Sequence, residues 1–150
     1  RGDAIEVSLP ERFTPAPPPS HNLNLNLDGE LALVGYDLDP EQAAPGEQVW
    51  LALRWQALTD VQRDYVVNIR LLDDKGKEAV YWLGRPARSS YPTNKWQAGQ
   101  AVGDPWRLTL PKDIAAGQYQ VQVVLFDAAT QQAVGRASLQ SDLTVIEHQP

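Results

Sequence analysis

Apolar and polar residues alternate with a period of two along most of this chain, the spacing of strands that bury one face. Leu23, Leu25 and Leu27 alternate with Asn24 and Asn26, and Asp28-Gly29 then supplies a hairpin turn, where a positive φ costs little. The pattern resumes over Glu30 to Leu38 with Leu31 and Leu33, then breaks over Pro40 to Gly46. Glu47 to Gln56 restarts it, with Val49, Leu51, Leu53 and Trp55 in one row. Tyr65, Val67, Ile69 and Leu71 form the next row, ended by the turn Asp73-Asp74-Lys75-Gly76. Ala79 to Leu83 predicts a short strand. Trp106, Leu108 and Leu110 alternate before Pro111, and Tyr119, Val121, Val123 and Leu125 alternate with Gln120 and Gln122. A last strand, or a pair of strands, covers about Val134 to Ile146. Helical spacing is poor throughout, and Lys112 to Ala116 offers one helical turn at most.

About eight short strands with turn residues between them predict an all-β fold: an immunoglobulin-like sandwich of two antiparallel sheets with Greek-key connections, ahead of a small barrel. Trp55 and Tyr65 lie in apolar rows and are assigned to the core. Gly117 precedes Tyr119 at the start of a strand, the position of a tyrosine corner, whose hydroxyl bonds to upstream backbone. As a corner or as an ordinary core side chain, Tyr119 is structural.

The first twenty residues read differently. Ile5 to Leu9 has room for a short strand, and Pro10, Pro15, Pro17, Pro18 and Pro19 then favour extended geometry. Residues 1–20 are therefore taken as a semi-rigid spacer and 21–150 as the sandwich domain. Arg1-Gly2-Asp3 has no support around it and is set aside as an adhesion motif.

Composition narrows the function. At 150 residues the chain can bury a core without staples, and no run of about 20 apolar residues exists to enter a bilayer. No signal-peptide pattern opens the chain and it starts at Arg1 rather than Met, so it is read as a piece of a longer protein. Thirteen basic against nineteen acidic residues give a net charge of −6, which argues against nucleic acid and anionic lipid as partners. Cysteine is absent, so thiolate chemistry and disulfides are too.

The order Leu33-Val34-Gly35-Tyr36, Pro45-Gly46, Leu51-Ala52-Leu53-Arg54-Trp55, Asp64-Tyr65-Val66-Val67, Tyr91-Pro92-Thr93, Trp96, Gly99, Asp104 and Gly117-Gln118-Tyr119 resembles a known domain. It is similar to the C-terminal β-sandwich of bacterial multi-spanning membrane proteins of the dolichyl-phosphate-mannose-type glycosyltransferase kind. The resemblance covers about residues 30–127. It implies an extracytoplasmic, non-catalytic module tethered through its spacer to a membrane anchor outside this sequence. No catalytic residue carries over, because the chemistry of those hosts lies in their membrane part.

Candidate chemistry is sparse. His21 and His148 sit near opposite ends of the domain, without the further ligands of a metal centre or the neighbouring nucleophile of a triad. Asp37, Asp39 and Glu41 alternate and offer oxygen ligands to calcium, but Pro40 interrupts them and their spacing is not that of a calcium loop. No cofactor is expected. The long segment Gly84 to Asp104 is the richest. It holds Arg85, Arg88, Tyr91, Lys95 and Trp96, with Trp82 and Trp106 flanking. Aromatic faces stack on sugar faces while arginines bond hydroxyls, so Tyr91, Trp96, Trp106, Arg85 and Arg88 form a candidate glycan platform. The competing reading folds Tyr91 and Trp96 back over an open end of the sandwich. Trp50, on the opposite parity from Trp55, is either an exposed interface residue beside Arg54 or packed beneath the proline-rich segment.

Three functions stay open: a non-catalytic accessory module that binds glycan or protein or positions its neighbours, a dedicated carbohydrate-binding module, and, least favoured, a glycan-active enzyme. Oligomeric state is not legible.

Overall fold

The computed structural model describes residues 19–86 and 93–147. Among them the chain forms nine strands: β1 His21–Leu27, β2 Leu31–Asp39, β3 Gln42–Ala43, β4 Gln48–Ala57, β5 Tyr65–Leu72, β6 Glu78–Gly84, β7 Ala101–Thr109, β8 Gly117–Asp127 and β9 Ala133–Val145. One 3₁₀ turn, Thr93–Lys95, is the remaining element. Two sheets pack face to face, one in the order β1-β2-β4-β7 and the other β3-β9-β8-β5-β6, so the all-β sandwich is the observed architecture.

Neighbouring strands pair antiparallel except β3 with β9. β3 is the ninth strand beyond the eight expected. It lies where Pro40 breaks the alternation: the chain leaves β2 in the first sheet and sets two residues, Gln42 and Ala43, beside Thr144 and Val145 of the second. Two residues carry no period, so the pattern could not announce them.

The inward rows meet in one core. Leu51, Leu53 and Trp55 of β4 face Tyr65, Val67, Ile69 and Leu71 of β5, and all seven are fully buried. Each large apolar side chain removed from water contributes about 1.5–3 kcal/mol, which fixes the register, since a one-residue slip would turn a whole row to solvent. Asp28 and Gly29 both hold positive φ, 60° and 75°, as the β1–β2 hairpin requires. The Tyr119 hydroxyl donates to the Ala115 carbonyl at 2.6 Å, so the tyrosine corner is present.

The end of the sandwich near residues 57–65 is stitched shut by the segment after the 3₁₀ turn. The Ala57 amide donates to the Gln100 carbonyl and the Ala57 carbonyl accepts from the Gly99 amide, each at 2.8 Å, and the Val61 amide donates to the Trp96 carbonyl at 3.0 Å. Thr93 Oγ1 accepts from the Tyr65 amide at 2.9 Å and donates to the Arg63 carbonyl at 2.8 Å.

Candidate functional site

Strand alternation makes the outer face of the second sheet the mirror of its core row. With Tyr65, Val67, Ile69 and Leu71 inward, Val66, Asn68 and Arg70 point outward. Register then places their neighbours: Val66 beside Phe126, Asn68 between Leu83 and Val124, and Arg70 between Tyr81 and Gln122. Over Val66, Phe126, Val124, Leu83 and Tyr81 the face is therefore apolar where a solvated face would be polar. Tyr81 and Leu83 are 55% and 60% exposed, the highest among the large hydrophobic residues described.

These side chains line a groove of about 550 Å³ formed by Val66, Asn68, Tyr81, Leu83, Arg85 and Phe126, closed at one end by the β8–β9 turn with Asp127, Ala128 and Gln131. Its polar groups are held in place. Asn68 is only 5% exposed, and its Oδ1 accepts from Arg70 Nε at 2.7 Å. Arg85 is paired with Asp64, so its charge is neutralised at the groove mouth. Asp127 Oδ1 accepts from the Ala129 amide at 2.8 Å, and its Oδ2 lies 3.3 Å from Arg63. Both oxygens of that carboxylate are thus engaged in shaping the turn.

Beneath this end lies a polar cluster on Tyr65. Its hydroxyl donates toward Asp28 Oδ2 and Glu30 Oε1, each at 2.8 Å, and Arg63 bridges Asp28 at 3.2 Å. Burial and then the hydrogen bonds to the two carboxylates push the Tyr65 phenol well above the ordinary tyrosine range.

The sequence-based platform is divided by the structure. Arg85 reaches the groove. Arg88 and Tyr91 lie outside the described residues. Trp96 is 1% exposed and belongs to the core, so its ring offers no face to a ligand. Trp106 points inward from β7, half-buried, its ring closing on Gly84 so tightly that a Cβ there would stand 3.1 Å from Cη2. Trp96 and Trp106 are therefore corrected to packing residues: one plugs the end of the sandwich, the other its β6–β7 side. Trp55 also serves the core, its Nε1 donating to buried Asp104 Oδ2 at 3.1 Å.

The calcium candidates separate. Asp37 accepts from the Ser20 amide and hydroxyl at 2.7 and 2.5 Å and lies 3.7 Å from Arg54. The Ser20 hydrogen bonds, reinforced by Arg54, hold its carboxyl below the usual range. Asp39 is exposed, while Glu41 follows the crossing to the second sheet and lies 3.6 Å from His21. No group of three or more metal-ligating side chains occurs among the described residues. Trp50 is exposed with Arg107 stacked 4.5 Å above its ring, and Pro19 lies instead on Gly35 of the same sheet face.

One constellation invites a catalytic reading. Ser141 Oγ is 3.0 Å from His21 Nε2, and His21 stacks on Tyr36 at 4.5 Å. Yet Glu41 approaches the same ring nitrogen as the serine rather than orienting the other one, and Tyr36 donates to Ser141 Oγ at 3.0 Å while accepting from the Ser141 amide. The serine is locked between two side chains, and the cluster clasps β1 to β9.

The groove was missed in the sequence because its residues come from three strands far apart in the chain. The signal was present as apolar residues on the wrong parity: Val66 in β5, Val124 and Phe126 in β8, and Tyr81 and Leu83 in β6, which is apolar on both faces.

No protein-family model matches the chain, and no curated protein matches it by sequence. In structure it is similar to the C-terminal domain of Wzt, with a TM-score of 0.58 at 12% identity over 97% of this chain and 88% of that one. It is also similar to part of the alkylpurine DNA glycosylase AlkC of Pseudomonas fluorescens, with a TM-score of 0.51 at 13% identity over 77% of this chain and 30% of that one. A Niemann-Pick type C2 protein from the Japanese carpenter ant gives 0.50 at 5% identity over 70% and 79%. At these identities the likeness establishes the β-sandwich fold.

Proposed function

We propose that this domain is a non-catalytic binding module whose ligand is a neutral saccharide chain lying across the outer face of the five-stranded sheet. The observation that carries the reading is the groove itself. Two aromatic rings and an aliphatic neighbour, Tyr81, Phe126 and Leu83, surround a nearly buried amide, Asn68, whose orientation Arg70 fixes. Apolar faces of sugar rings stack on such a floor while hydroxyls take up the few ordered polar groups. Pairing of Arg85 with Asp64 removes the net attraction that an acidic ligand would need. The engaged carboxylate of Asp127 and the clasped Ser141–His21 pair support a binding role over catalysis.

In this reading the module is an extracytoplasmic accessory part of a larger membrane-associated protein, joined to it through the proline-rich segment. What supports that setting is the resemblance carried by Leu33 to Tyr36, Arg54-Trp55, Asp64 to Val67 and Gly117 to Tyr119.

The test is calorimetry of the full chain against a panel of neutral cell-wall and exopolysaccharide fragments, with Tyr81→Ala alongside. Saturable binding that Tyr81→Ala loses while keeping its melting temperature is the expected result. Binding that survives Tyr81→Ala, or none across the panel, overturns the assignment.

A further inference from the structure

Asn68 stands in the groove floor with its hydrogen bonding only half satisfied. Register sets Leu83 on one side of it and Val124 on the other, and alternation sets Val66 and Arg70 along its own strand. Arginine nitrogens only donate, so the atom that meets Arg70 Nε at 2.7 Å is the amide carbonyl, and the NH2 end turns the other way. Among the described residues no acceptor bonds that nitrogen. The described side-chain atoms sealed from water without a partner are Asp64 Oδ1 and Trp106 Nε1, so Nδ2 of Asn68 is neither satisfied nor sealed and opens into the groove that Asn68 lines. A side chain 5% exposed thus presents donors alone, between apolar walls.

We infer that the saccharide this groove takes carries N-acetyl groups, the acetamido carbonyl accepting from Asn68 Nδ2 and the acetamido methyl lying on Val66, Leu83 and Phe126. The inference rests on the saccharide reading above and names the class of sugar. A group that only donates is matched by an atom that only accepts. A hydroxyl in this position brings a hydrogen of its own, and the neighbouring acceptors are taken: Asn68 Oδ1 by Arg70, Asp127 by the Ala129 amide and Arg63. A carbonyl oxygen brings none. The methyl beside it displaces water from an apolar wall, where a hydroxyl would lose hydrogen bonds. The acetamido N–H lies on the ring side, toward the open mouth, where water serves it. The span agrees. Tyr81 is diagonal to Asn68 across the β5–β6 ladder, about 7–8 Å away. The acetamido arm of a ring stacked on Tyr81 covers part of that distance, and an N–H···O bond of about 2.9 Å closes the rest.

The experiment is calorimetry of the full chain with chito-oligosaccharides and cello-oligosaccharides of equal length, uncharged series that differ in carrying acetamido or hydroxyl on one ring carbon. The chito series should bind on the order of tenfold to a hundredfold more tightly, the worth of one hydrogen bond and one buried methyl. Asn68→Asp keeps the size of the side chain and its bond to Arg70 but has no N–H to give, so it should bring the two series level. Amide NMR of the parent protein supplies a readout that needs no variant: the Asn68 side-chain NH2 resonances should move with the chito series and stay in place with the cello series. Equal affinity for both series, both lost in Tyr81→Ala, overturns this inference and leaves the saccharide reading standing. A preference that survives Asn68→Asp, or unmoved NH2 resonances at saturating chito-oligosaccharide, also overturns it. Silence of the chito series overturns it as well, and the saccharide reading falls with it only if the wider panel of neutral fragments is silent too.

Discussion

Arg70 Nε donates to Asn68 Oδ1 at 2.7 Å, on the outer face of the five-stranded sheet. That bond takes the carbonyl end of a side chain that is 5% exposed and leaves its amide N–H groups for whatever enters the groove. Arg70 is a positioning residue here, itself 3.6 Å from Glu78 and outside the groove lining. Arg70→Ala should therefore weaken saccharide binding about threefold to tenfold, the worth of one ordered hydrogen bond, with far-ultraviolet circular dichroism unchanged. Calorimetry of the variant checks it. Unchanged affinity would mean that Asn68 takes no part.

Gly35 is a place where only the absence of a side chain lets the chain enter the domain. A Cβ there would stand 2.5 Å from Pro19 Cγ and 2.9 Å from the His21 carbonyl oxygen. Gly35→Ala should displace Pro19 and Ser20, at a cost of about 1–3 kcal/mol in urea unfolding. Losing the two Ser20 hydrogen bonds should let the Asp37 pKa rise toward its ordinary value, readable by carboxyl NMR titration. In the parent protein ionised Asp37 favours folding. Its contribution is present above the ordinary carboxylate range and is lost as pH falls through the lowered folded value. Ser20→Ala should shift Asp37 the same way without the steric cost.

At the alkaline end Tyr65 acts in the opposite sense. Its folded pKa is raised by burial and by Asp28 and Glu30, so the neutral phenol is the form that folding prefers. Stability is fully present below the tyrosine pKa of the unfolded chain, about 10, and falls as pH rises beyond it. Urea midpoints measured from pH 8 to 11 should decline, and Tyr65→Phe should flatten part of that decline while lowering stability at neutral pH. A midpoint independent of pH in the parent protein would contradict the cluster.

Trp96 and Tyr81 separate packing from binding. Trp96→Ala empties a site 1% exposed and should cost about 3–5 kcal/mol. Tyr81→Ala removes a ring 55% exposed and should move stability by less than about 0.5 kcal/mol. Thermal and urea unfolding of the two variants check this; comparable losses in both would place Tyr81 in the core as well.

The fold was readable where a row of side chains had to be buried. Val49 to Trp55 and Tyr119 to Leu125 alternate cleanly because each strand has one face against the other sheet, and Gly117-Gln118-Tyr119 marked the corner. Reading failed where the chain changes sheets or where proline and glycine dilute the period. β3 is one case, and the first half of β7 is the other, where Gly103 and Pro105 hid five residues of strand before Trp106. For the site, aromatic content drew attention to the 84–106 segment, but content does not say which way a ring faces. Trp96 lies under the Val61 contact and Trp106 over Gly84, both set by tertiary packing. The groove depends on which outward positions become neighbours across β6, β5 and β8, and that information exists only in the register.

The measurement closest to the central claim is a two-dimensional amide NMR titration of the full chain with neutral oligosaccharide fragments. The account predicts saturable shifts confined to Val66, Asn68, Tyr81, Leu83, Phe126 and the Ala128–Gln131 turn, with the first sheet silent. Shifts clustered instead around Trp50 and Arg107, or an unperturbed spectrum at saturating sugar, would contradict it.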